Sequence, residues 1–244
     1  MKTIILNAGI GSRLLPLTKN KPKCLIRINK KETILDWQLK SLTKYSLEEI
    51  IMIIGPFNDK IQDFIKNNYP NLNIQYVRNP IYDKTNYIYS LHLIKDFIDD
   101  NIILLHGDLI FSDLLLKKLL NSKDANCVLV NKEITPPEKD FKALIINDRI
   151  KRIGVKVSGP NTFLLEPLYK LTKHFFKLWI NQIEIFVNNK RLDCYAEDAL
   201  NEILHFLKLK PFYFNDLTCM EIDDLEDLRI VKEILRRNKI NEII

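Results

Sequence analysis

Short apolar segments alternate with longer amphipathic segments through the first half of this 244-residue chain. The apolar segments have strand length and β-branched residues, and they span residues 2–8, 49–54, 73–77, 102–106 and 127–130. The amphipathic segments carry apolar residues at three- and four-residue spacing, and they span residues 33–45, 59–67, 86–98 and 112–120. This alternation predicts an α/β fold whose mainly parallel sheet is covered by helices on both faces, with ligands at the carboxyl ends of the strands.

The pattern changes beyond residue 141. Three short strands are predicted at residues 142–146, 151–155 and 162–165, and two helices at 167–185 and 195–207. A last strand at 211–214 and a helix at 225–237 complete the chain. Because composition does not shift abruptly anywhere, we expect one domain over residues 1–244, with a small embellishment at 136–210 that forms one wall of a ligand pocket.

The excess of positive charge is confined to one end of the chain. The protein has 37 Lys and Arg against 31 Asp and Glu, a net charge of +6, yet residues 1–31 hold eight basic residues and no acidic one. The rest of the chain is nearly neutral. A local basic segment suits a compact polyanion such as a triphosphate better than a duplex along a broad face, so we expect no nucleic-acid partner.

Cysteine spacing and hydropathy exclude two further classes of protein. The four cysteines show no zinc-ligand spacing, and no apolar run approaches the ~18 residues that a membrane-spanning helix needs. The N-terminal apolar stretch is short and glycines follow it at once, which favours a buried strand over a signal peptide. We therefore expect no membrane insertion and a cytoplasmic location.

The most specific motif is the string LNAGIGSRLLPLTKNKPK at residues 6–23. A strand runs into a glycine turn, and a loop that carries Arg13 and Lys23 follows. Backbone N–H groups at such a turn, together with two cations, predict a phosphate-binding loop. The string lacks the Walker pattern, and Leu14 stands where the dinucleotide fingerprint needs its third glycine.

This string resembles the signature of the sugar-nucleotidyltransferase superfamily, G-x-G-[ST]-R-x-x-P-x-T-x-x-x-P-K, at every fixed position from Gly9 to Lys23. The resemblance implies a Rossmann-like three-layer α/β/α sandwich with a mainly parallel mixed sheet. It implies binding of a nucleoside triphosphate and transfer of its NMP part to a phosphorylated acceptor, with release of pyrophosphate. Residues 1–135 would then be the nucleotide-binding half, 136–210 the acceptor-side insertion, and 211–244 the returning strand and C-terminal helix.

The resemblance also assigns residues to the nucleotide and the metal. Arg13 and Lys23 would be catalytic, and the nucleotide-binding set would be Leu6, Ala8, Gly9, Gly11, Ser12, Arg13, Lys23, Asn86, Ser90 and Gly107. Asp108 and Asp223 stand where the superfamily keeps metal-binding aspartates, so together they would hold Mg²⁺. An Asp after a strand is also a common helix N-cap, and Asp224 is an alternative for either role.

Residues 79–91 are most similar to the small cytidylyltransferases that act on phosphocholine and 2-aminoethylphosphonate. In that subgroup an Asn and a Ser at the head of this helix face the nucleotide. Asn86 and Ser90 are four residues apart and share a helix face, so the resemblance places them near a pyrimidine or its ribose. The alternative is that Asn86 only caps the helix and Ser90 is only buried.

Candidate acceptor-binding residues are Phe141, Lys142, Tyr195, Glu197 and Asp198. A trimethylammonium group is held by aromatic faces and carboxylates, and residues 193–198 offer one aromatic side chain where a cage needs two. A lysine beside two carboxylates suits an acceptor with both amine and carboxylate. This favours a phosphorylated amino acid, as in the phosphoglutamine cytidylyltransferases of capsule-modifying pathways, over phosphocholine. The alternative is that Tyr195 is a core residue and Lys142 a solvated one.

The sequence therefore predicts transfer of CMP from CTP to a small phosphorylated or phosphonylated acceptor, with Mg²⁺ as cofactor, in capsule or surface polysaccharide biosynthesis. One alternative is a sugar-1-phosphate nucleotidyltransferase that uses UTP, dTTP or GTP. Another is a non-catalytic regulatory module that binds nucleotide. The oligomeric state, including a homodimer, stays open.

Overall fold

The computed structural model describes residues 1–215 and 219–241, so residues 216–218 and 242–244 of the predicted C-terminal segment lie outside the described residues. The strands are β1 Lys2–Asn7, β2 Glu49–Ile54, β3 Asn73–Arg78, β4 Ile102–His106, β5 Leu109–Phe111, β6 Cys127–Asn131, β7 Lys142–Ile146, β8 Arg149–Gly154, β9 Thr162–Leu171, β10 Lys210–Phe214 and β11 Cys219–Glu221. The helices are α1 Ile34–Lys44, α2 Asn58–Asn68, α3 Tyr87–His92, α4 Asp113–Leu120, α5 Lys173–Asn188, α6 Ala196–Asn201 and α7 Leu225–Asn241. None of the described helices combines the length and the apolar character that a bilayer crossing needs.

The main sheet has the strand order β10-β6-β9-β4-β1-β2-β3, and β7 pairs with β9 and β8 beside it. Strand β1 pairs in parallel with β2 and β4, with Leu6 opposite His106. Strand β9 runs antiparallel to β4 and β6, which makes the sheet mixed. Because β1 and β4 end at the same edge, the residues that follow Leu6 and His106 lie side by side there.

The central strands β1, β2, β4 and β6 are buried on both faces, which explains why they are apolar at most positions. Ile4 and Ile5 are both fully buried, but they belong to different clusters because neighbouring side chains point to opposite faces. The Ile4 cluster contains residues of α3, α5 and α6, and the Ile5 cluster contains residues of α1, α2 and α4. The predicted three-layer α/β/α sandwich is thus confirmed.

The predicted helix at 167–185 is wrong in its first turn, because β9 continues to Leu171 and α5 begins only at Lys173. Pro167 lies where the pairing with β6 shifts register, between Glu166 opposite Leu129 and Tyr169 opposite Val128. A bulge accepts a proline because the missing N–H removes no ladder hydrogen bond there. The hydroxyl of Thr172 then caps α5 by accepting a hydrogen bond from the Phe175 N–H at 3.2 Å.

Two predicted helices are shorter than expected. The segment at 86–98 is α3 followed by a single 3₁₀ turn at Lys95–Phe97, and α6 ends at Asn201 instead of 207. Strands β5 and β11 were not predicted. They pair antiparallel, with Glu221 opposite Leu109, and the Ile222 N–H donates to the Asp108 carbonyl at 3.1 Å. This pairing brings residues 221–223 to the end of β4.

Candidate active site

The loop after β1 folds back on itself around Gly11. Gly11 has φ 69°, and a Cβ atom there would lie 3.1 Å from Thr18 Cγ2 and 3.2 Å from Lys23 Cβ. The Thr18 hydroxyl donates to the Gly11 carbonyl at 2.8 Å. Only glycine adopts this left-handed backbone without strain. The turn therefore brings Lys23 back to the end of β1.

Three sequence-distant residues predicted to act together meet at this point. The Lys23 ammonium lies 2.5 Å from Asp108 Oδ2 and 2.9 Å from Asp223 Oδ1, and Arg13 Nη2 lies 3.0 Å from the same Asp223 oxygen. Burial alone would lower the pKa of Lys23, but the carboxylates of Asp108 and Asp223 outweigh it and raise that pKa above its ordinary value. Burial would raise the pKa of Asp108, but Lys23 outweighs it and lowers that pKa. Both side chains are therefore charged near neutral pH.

The Asp108 carboxylate offers a ligand atom for a divalent cation. Asp108 Oδ1 is buried and has no hydrogen-bond partner in residues 1–215 and 219–241, so one carboxylate oxygen is free to ligate. Asp108, His106 and Glu221 each offer a donor atom, and these three atoms lie within 4.8 Å of one another. Hard carboxylate oxygens are the ligands that Mg²⁺ prefers. This cluster could hold a divalent cation, but it contains His106 and Glu221 where the resemblance implies Asp223.

Asp224 has a different role from Asp223. Its Oδ1 accepts hydrogen bonds from the backbone N–H groups of Glu226 and Asp227, both at 3.0 Å, and its Oδ2 lies 2.6 Å from Lys139. Asp224 thus caps α7 while Asp223 faces Lys23. The sequence left open whether Asp224 binds metal or caps a helix, and the structure gives it the capping role.

His106 and Glu221 form a nearly buried pair beside the aspartates. His106 Nδ1 lies 2.8 Å from Glu221 Oε1. Burial lowers the pKa of His106, but the hydrogen bond and the charge of Glu221 outweigh it and raise the pKa to about 9. The ring of His106 also packs edge-on against Tyr87, with centroids 4.8 Å apart.

A cavity of about 360 Å³ opens at the carboxyl ends of β1 and β4. Six predicted site residues line it, namely Leu6, Ala8, Gly9, Asn86, Ser90 and Asp108. Lys23 and Gly107 line a small adjacent cavity that shares Leu6, Gly9 and Asp108 with it. Gly11, Ser12 and Arg13 do not line the 360 Å³ cavity; Ser12 lines a separate apolar depression with Ile10 and Leu15.

Asn86 and Ser90 have structural contacts and also line the cavity. The Asn86 side-chain oxygen accepts a hydrogen bond from the Tyr87 N–H at 2.7 Å and so caps α3. Ser90 is buried, and its hydroxyl accepts a hydrogen bond from Asn79 Nδ2 at 3.1 Å. Asn86 therefore caps the helix and Ser90 is buried, as the alternative interpretation of the sequence has it. Both residues nevertheless line the cavity.

Two of the candidate acceptor residues form an aromatic pair near the aspartates. The Phe141 and Tyr195 rings pack edge to face with centroids 4.9 Å apart, and the Tyr195 ring lies 5.9 Å from that of Tyr87. Tyr195 is 37% exposed, so its face is available to a ligand, whereas Phe141 is buried. Tyr195 is thus not a core residue.

The charged groups of Lys142, Glu197 and Asp198 are all engaged by other groups of the protein. Lys142 Nζ donates to the carbonyls of residues 138, 140 and 155 at 2.9–3.0 Å, so its three N–H donors are satisfied. Glu197 is buried and accepts from the hydroxyls of Tyr87 and Tyr169. Asp198 accepts from the Tyr195 N–H at 2.9 Å. The expectation that Lys142 meets an acceptor carboxylate therefore has no support in these contacts.

Similarity to known proteins identifies the family of this chain. The nucleotidyl transferase family model matches residues 2–141, more than half of the chain and all of the phosphate-loop string. The chain belongs to the nucleotidyl transferase family. The predicted resemblance is confirmed, and the family places the chain among enzymes.

Two relatives match this nucleotidyl transferase over nearly its whole length. The CTP:phosphoglutamine cytidylyltransferase of Campylobacter jejuni is 33% identical, over 94% of this chain and 98% of the relative. The choline-phosphate cytidylyltransferase of Streptococcus pneumoniae is 27% identical, over 97% of this chain and 99% of the relative. The solved structure of the CTP:phosphocholine cytidylyltransferase from Streptococcus pneumoniae has a TM-score of 0.80 at 23% identity, covering 96% of this chain and 98% of that one. This likeness confirms the fold.

Sequence reasoning missed part of this nucleotidyl transferase site. Asn79, Tyr82, Thr85, Tyr87 and Asp193 all line the 360 Å³ cavity. The first four fall within the segment 79–91 that the sequence singled out, so a polar cluster before a helix was the available signal. Glu221 stands two residues before Asp223 in the Glu-Ile-Asp string. That string pointed to a role for Asp223 but gave no reason to assign a contact to Glu221.

Proposed function

We propose that this nucleotidyl transferase moves CMP from CTP to a small phosphorylated or phosphonylated acceptor and releases pyrophosphate. The observation that carries the proposal is the convergence of Lys23, Asp108 and Asp223 beside the 360 Å³ cavity, which we call the nucleotide cavity and which Asp108 lines. A buried cation and two carboxylates at the carboxyl edge of a parallel sheet suit phosphoryl transfer, in which catalysis is positioning and charge stabilisation.

Each charged residue has a role in this proposal. Asp108 and Asp223 would hold Mg²⁺, which when bound neutralises charge on the triphosphate. Lys23 and Arg13 exchange their carboxylate partners for phosphate oxygens, and so stabilise the charge that develops on the reacting phosphorus and the leaving pyrophosphate. Backbone N–H groups of the Gly9 to Gly11 turn orient the triphosphate.

No residue needs to act as a general base. An acceptor phosphate oxygen is already largely ionised near pH 7, so it attacks the α-phosphorus of CTP directly. The bond from that phosphorus to the bridging oxygen of pyrophosphate breaks on the opposite side. The protein's contribution is to hold the two phosphate groups in line within the site.

Recognition of cytosine is supported by the polar wall of the cavity and by the relatives. Asn79, Thr85, Asn86 and Ser90 offer amide and hydroxyl groups along one side of the cavity. Such groups both donate and accept hydrogen bonds, as the edge of a pyrimidine requires. The two full-length relatives described above are named as cytidylyltransferases.

A phosphoglutamine-like amino acid phosphate remains our preferred acceptor over phosphocholine. Its support is the 33% identity to the phosphoglutamine enzyme, against 27% to the choline-phosphate enzyme. The aromatic side chains do not add to this preference, because the rings of Tyr87, Phe141 and Tyr195 lie together and a trimethylammonium group is held by such π faces. Lys142 no longer contributes to this preference, since its ammonium is bonded within the protein.

A sugar-1-phosphate nucleotidyltransferase is the second candidate. The bifunctional GlmU protein of Methanocaldococcus jannaschii is 31% identical over 89% of this chain, although the match covers only 51% of that protein. A putative glucose-1-phosphate thymidylyltransferase from Bacillus anthracis has a TM-score of 0.78 at 22% identity. The same site therefore also fits a sugar phosphate as acceptor.

A matrix of pyrophosphate-release assays separates these candidates. CTP, UTP, ATP, GTP and dTTP are each combined with L-glutamine phosphate, phosphocholine, 2-aminoethylphosphonate, glycerol phosphate and glucose 1-phosphate in the presence of Mg²⁺. We expect turnover with CTP and a non-sugar acceptor, and loss of that turnover in Asp223→Asn. Turnover with glucose 1-phosphate alone would replace the proposal with the second candidate. Nucleotide binding without turnover for any pair would instead support a regulatory module.

A further inference from the structure

A second cavity, of about 390 Å³, lies between β9, β11, the loop at residues 134–140 and α7. Glu221 lines this second cavity, and its carboxylate lies 2.8 Å from His106 Nδ1. His106 in turn lines the nucleotide cavity. The two cavities therefore have this side-chain pair as a common boundary. A volume of this size accommodates a small organic group.

The cations near the second cavity are already paired. Lys139 lies 2.7 Å from Asp227 and also contacts Asp224, and Arg237 lies 2.6 Å from Glu233. Asp227, Glu233 and Arg237 line the cavity. The remaining carboxylates of the wall must therefore find their partners elsewhere.

Of the described wall carboxylates, Asp140 and Glu166 find none, and Glu166 is the more buried of the two. It lies on β9, is only 5% exposed and lines the second cavity, yet it has no hydrogen bond or ion pair within the part of the chain that the structure describes. Burial, followed by the charges of Glu221 and Asp140, raises the pKa of Glu166 well above its usual range. A buried carboxylate without a donor is costly, so its retention calls for a partner that the protein does not itself supply.

The rest of the wall indicates what kind of cation fits. Leu164, Ile230 and Ile234 cover much of it and offer no ligand atoms. Calcium and magnesium ions need six or more oxygen ligands, so an apolar wall suits an organic cation with a hydrocarbon stem better. No aromatic residue lines the second cavity among the described residues, whereas trimethylammonium groups are held by aromatic faces. A primary ammonium group, with three N–H donors, matches an unpaired carboxylate.

We propose that Glu166 binds the primary ammonium group of the acceptor, and that the second cavity selects phosphorylated primary amines against their trimethylammonium analogues. This inference rests on the proposed function, because it needs an acceptor phosphate near Lys23. Asp223 follows Glu221 by two residues and contacts Lys23, so one short segment borders the second cavity and also reaches the reacting phosphates. An amino acid phosphate carries the required ammonium group.

The test is direct binding, which does not depend on turnover. O-phosphoethanolamine and phosphocholine share a phosphate and a two-carbon spacer and differ in three N-methyl groups. Both compounds are titrated by calorimetry into the wild-type protein, into Glu166→Gln and into the control Glu226→Gln. The comparison isolates the ammonium contact. Glu226 is exposed on α7 and paired with Arg229, so its variant makes the same chemical change away from the cavity.

We expect the wild-type protein to bind phosphoethanolamine more tightly than phosphocholine. Glu166→Gln should weaken phosphoethanolamine binding about tenfold or more, as for loss of a hydrogen bond to a charged group, and leave phosphocholine binding nearly unchanged. Glu226→Gln should behave as the wild type. If circular dichroism shows that Glu166→Gln is not folded, Glu166→Met, which removes the charge and suits the apolar wall, is compared in its place with the same expected result.

Three results would overturn the inference: tighter binding of phosphocholine than of phosphoethanolamine, no binding of either compound, or equal phosphoethanolamine affinity in Glu166→Gln and the wild type. Pyrophosphate release from CTP is measured in parallel with every acceptor of the assay matrix, amine and non-amine. Its absence for every acceptor would count against the transferase itself. Its presence together with any of the three results would count against the ammonium site alone.

Discussion

Replacing Lys23 with methionine should change metal affinity and turnover in opposite directions. Without nucleotide, the Lys23 ammonium lies 2.5 Å from Asp108 and 2.9 Å from Asp223, so it competes with a divalent cation for both carboxylates. The side chains are 15–21% exposed, and each ion pair therefore contributes about 1 kcal/mol, the upper end for exposed pairs. Loss of both pairs, about 2 kcal/mol, should tighten cation binding about 30-fold, since 1.4 kcal/mol is a factor of ten.

Turnover should fall in the same variant, because the charge that competes with the metal is the charge that stabilises the reacting phosphates. Removal of one preorganised donor from a developing anion lowers kcat by about 10²–10³-fold. Methionine keeps the length and the apolar stem of lysine, so packing of the loop around Gly11 is retained. The variant therefore tests the charge and not the side-chain volume.

Mn²⁺ titration by calorimetry in the absence of nucleotide measures the first effect, and pyrophosphate release at saturating CTP measures the second. Lys30→Met, at an exposed lysine of the same basic segment, is the matched control and should change neither. A folded Lys23→Met protein whose kcat stays within about threefold of the wild type, or whose Mn²⁺ affinity falls, would refute the assignment of Lys23 to both carboxylates and phosphates.

Three further perturbations test the surrounding structure. Gly11→Ala forces a Cβ into a left-handed turn 3.1 Å from Thr18, so we expect a loss of about 1–2 kcal/mol in the free energy of unfolding, measured by urea denaturation, and a higher KM for CTP. Tyr169→Phe removes the hydroxyl that lies 2.8 Å from buried Glu197, and should lower stability by about 1–3 kcal/mol with kcat unchanged. Because the folded-state pKa of Glu166 is raised, its contribution to stability is present below its unfolded pKa and is lost as pH rises towards the folded value. The difference in Tm between Glu166→Gln and the wild type should therefore grow in favour of the variant from pH 5 to pH 8, and a constant difference would contradict the assignment of Glu166 as a buried acid.

The first 135 residues were predictable because their signals are local. Strands β1, β2 and β4 are continuous apolar runs, since residues such as Ile4 and Ile5 are buried on opposite faces of one sheet. The phosphate loop was predictable because its left-handed turn requires Gly11. Its cation Lys23 falls within the same short string. In this loop, the sequence motif and the backbone turn that it predicts lie within the same few residues.

The chain beyond residue 135 was less predictable because its contacts are tertiary. Pro167 reads as a helix start, but a bulge opposite β6 accommodates it within a strand. A long lysine side chain reaches several ångströms in any direction, so spacing alone could not show that Lys142 bonds three carbonyl groups. The β5 and β11 strands have three residues each, too few for a period to be visible. Yet their pairing decides where Glu221 and Asp223 lie.

The short segment of residues 221–223 is the point at which the two halves depend on each other. Its Glu221 contacts His106 at the end of β4, and its Asp223 contacts Lys23 of the phosphate loop. The Asp223 N–H also donates to Asp227 Oδ2 at 2.8 Å, which ties the segment to the first turn of α7. The positions of Asp223 and of the wall of the second cavity are thus set by one strand pairing and one helix cap. Under the proposed function, a ligand that shifts the backbone at Glu221 also shifts Asp223, so we expect selection of the acceptor and activation of the nucleotide to be coupled through this segment.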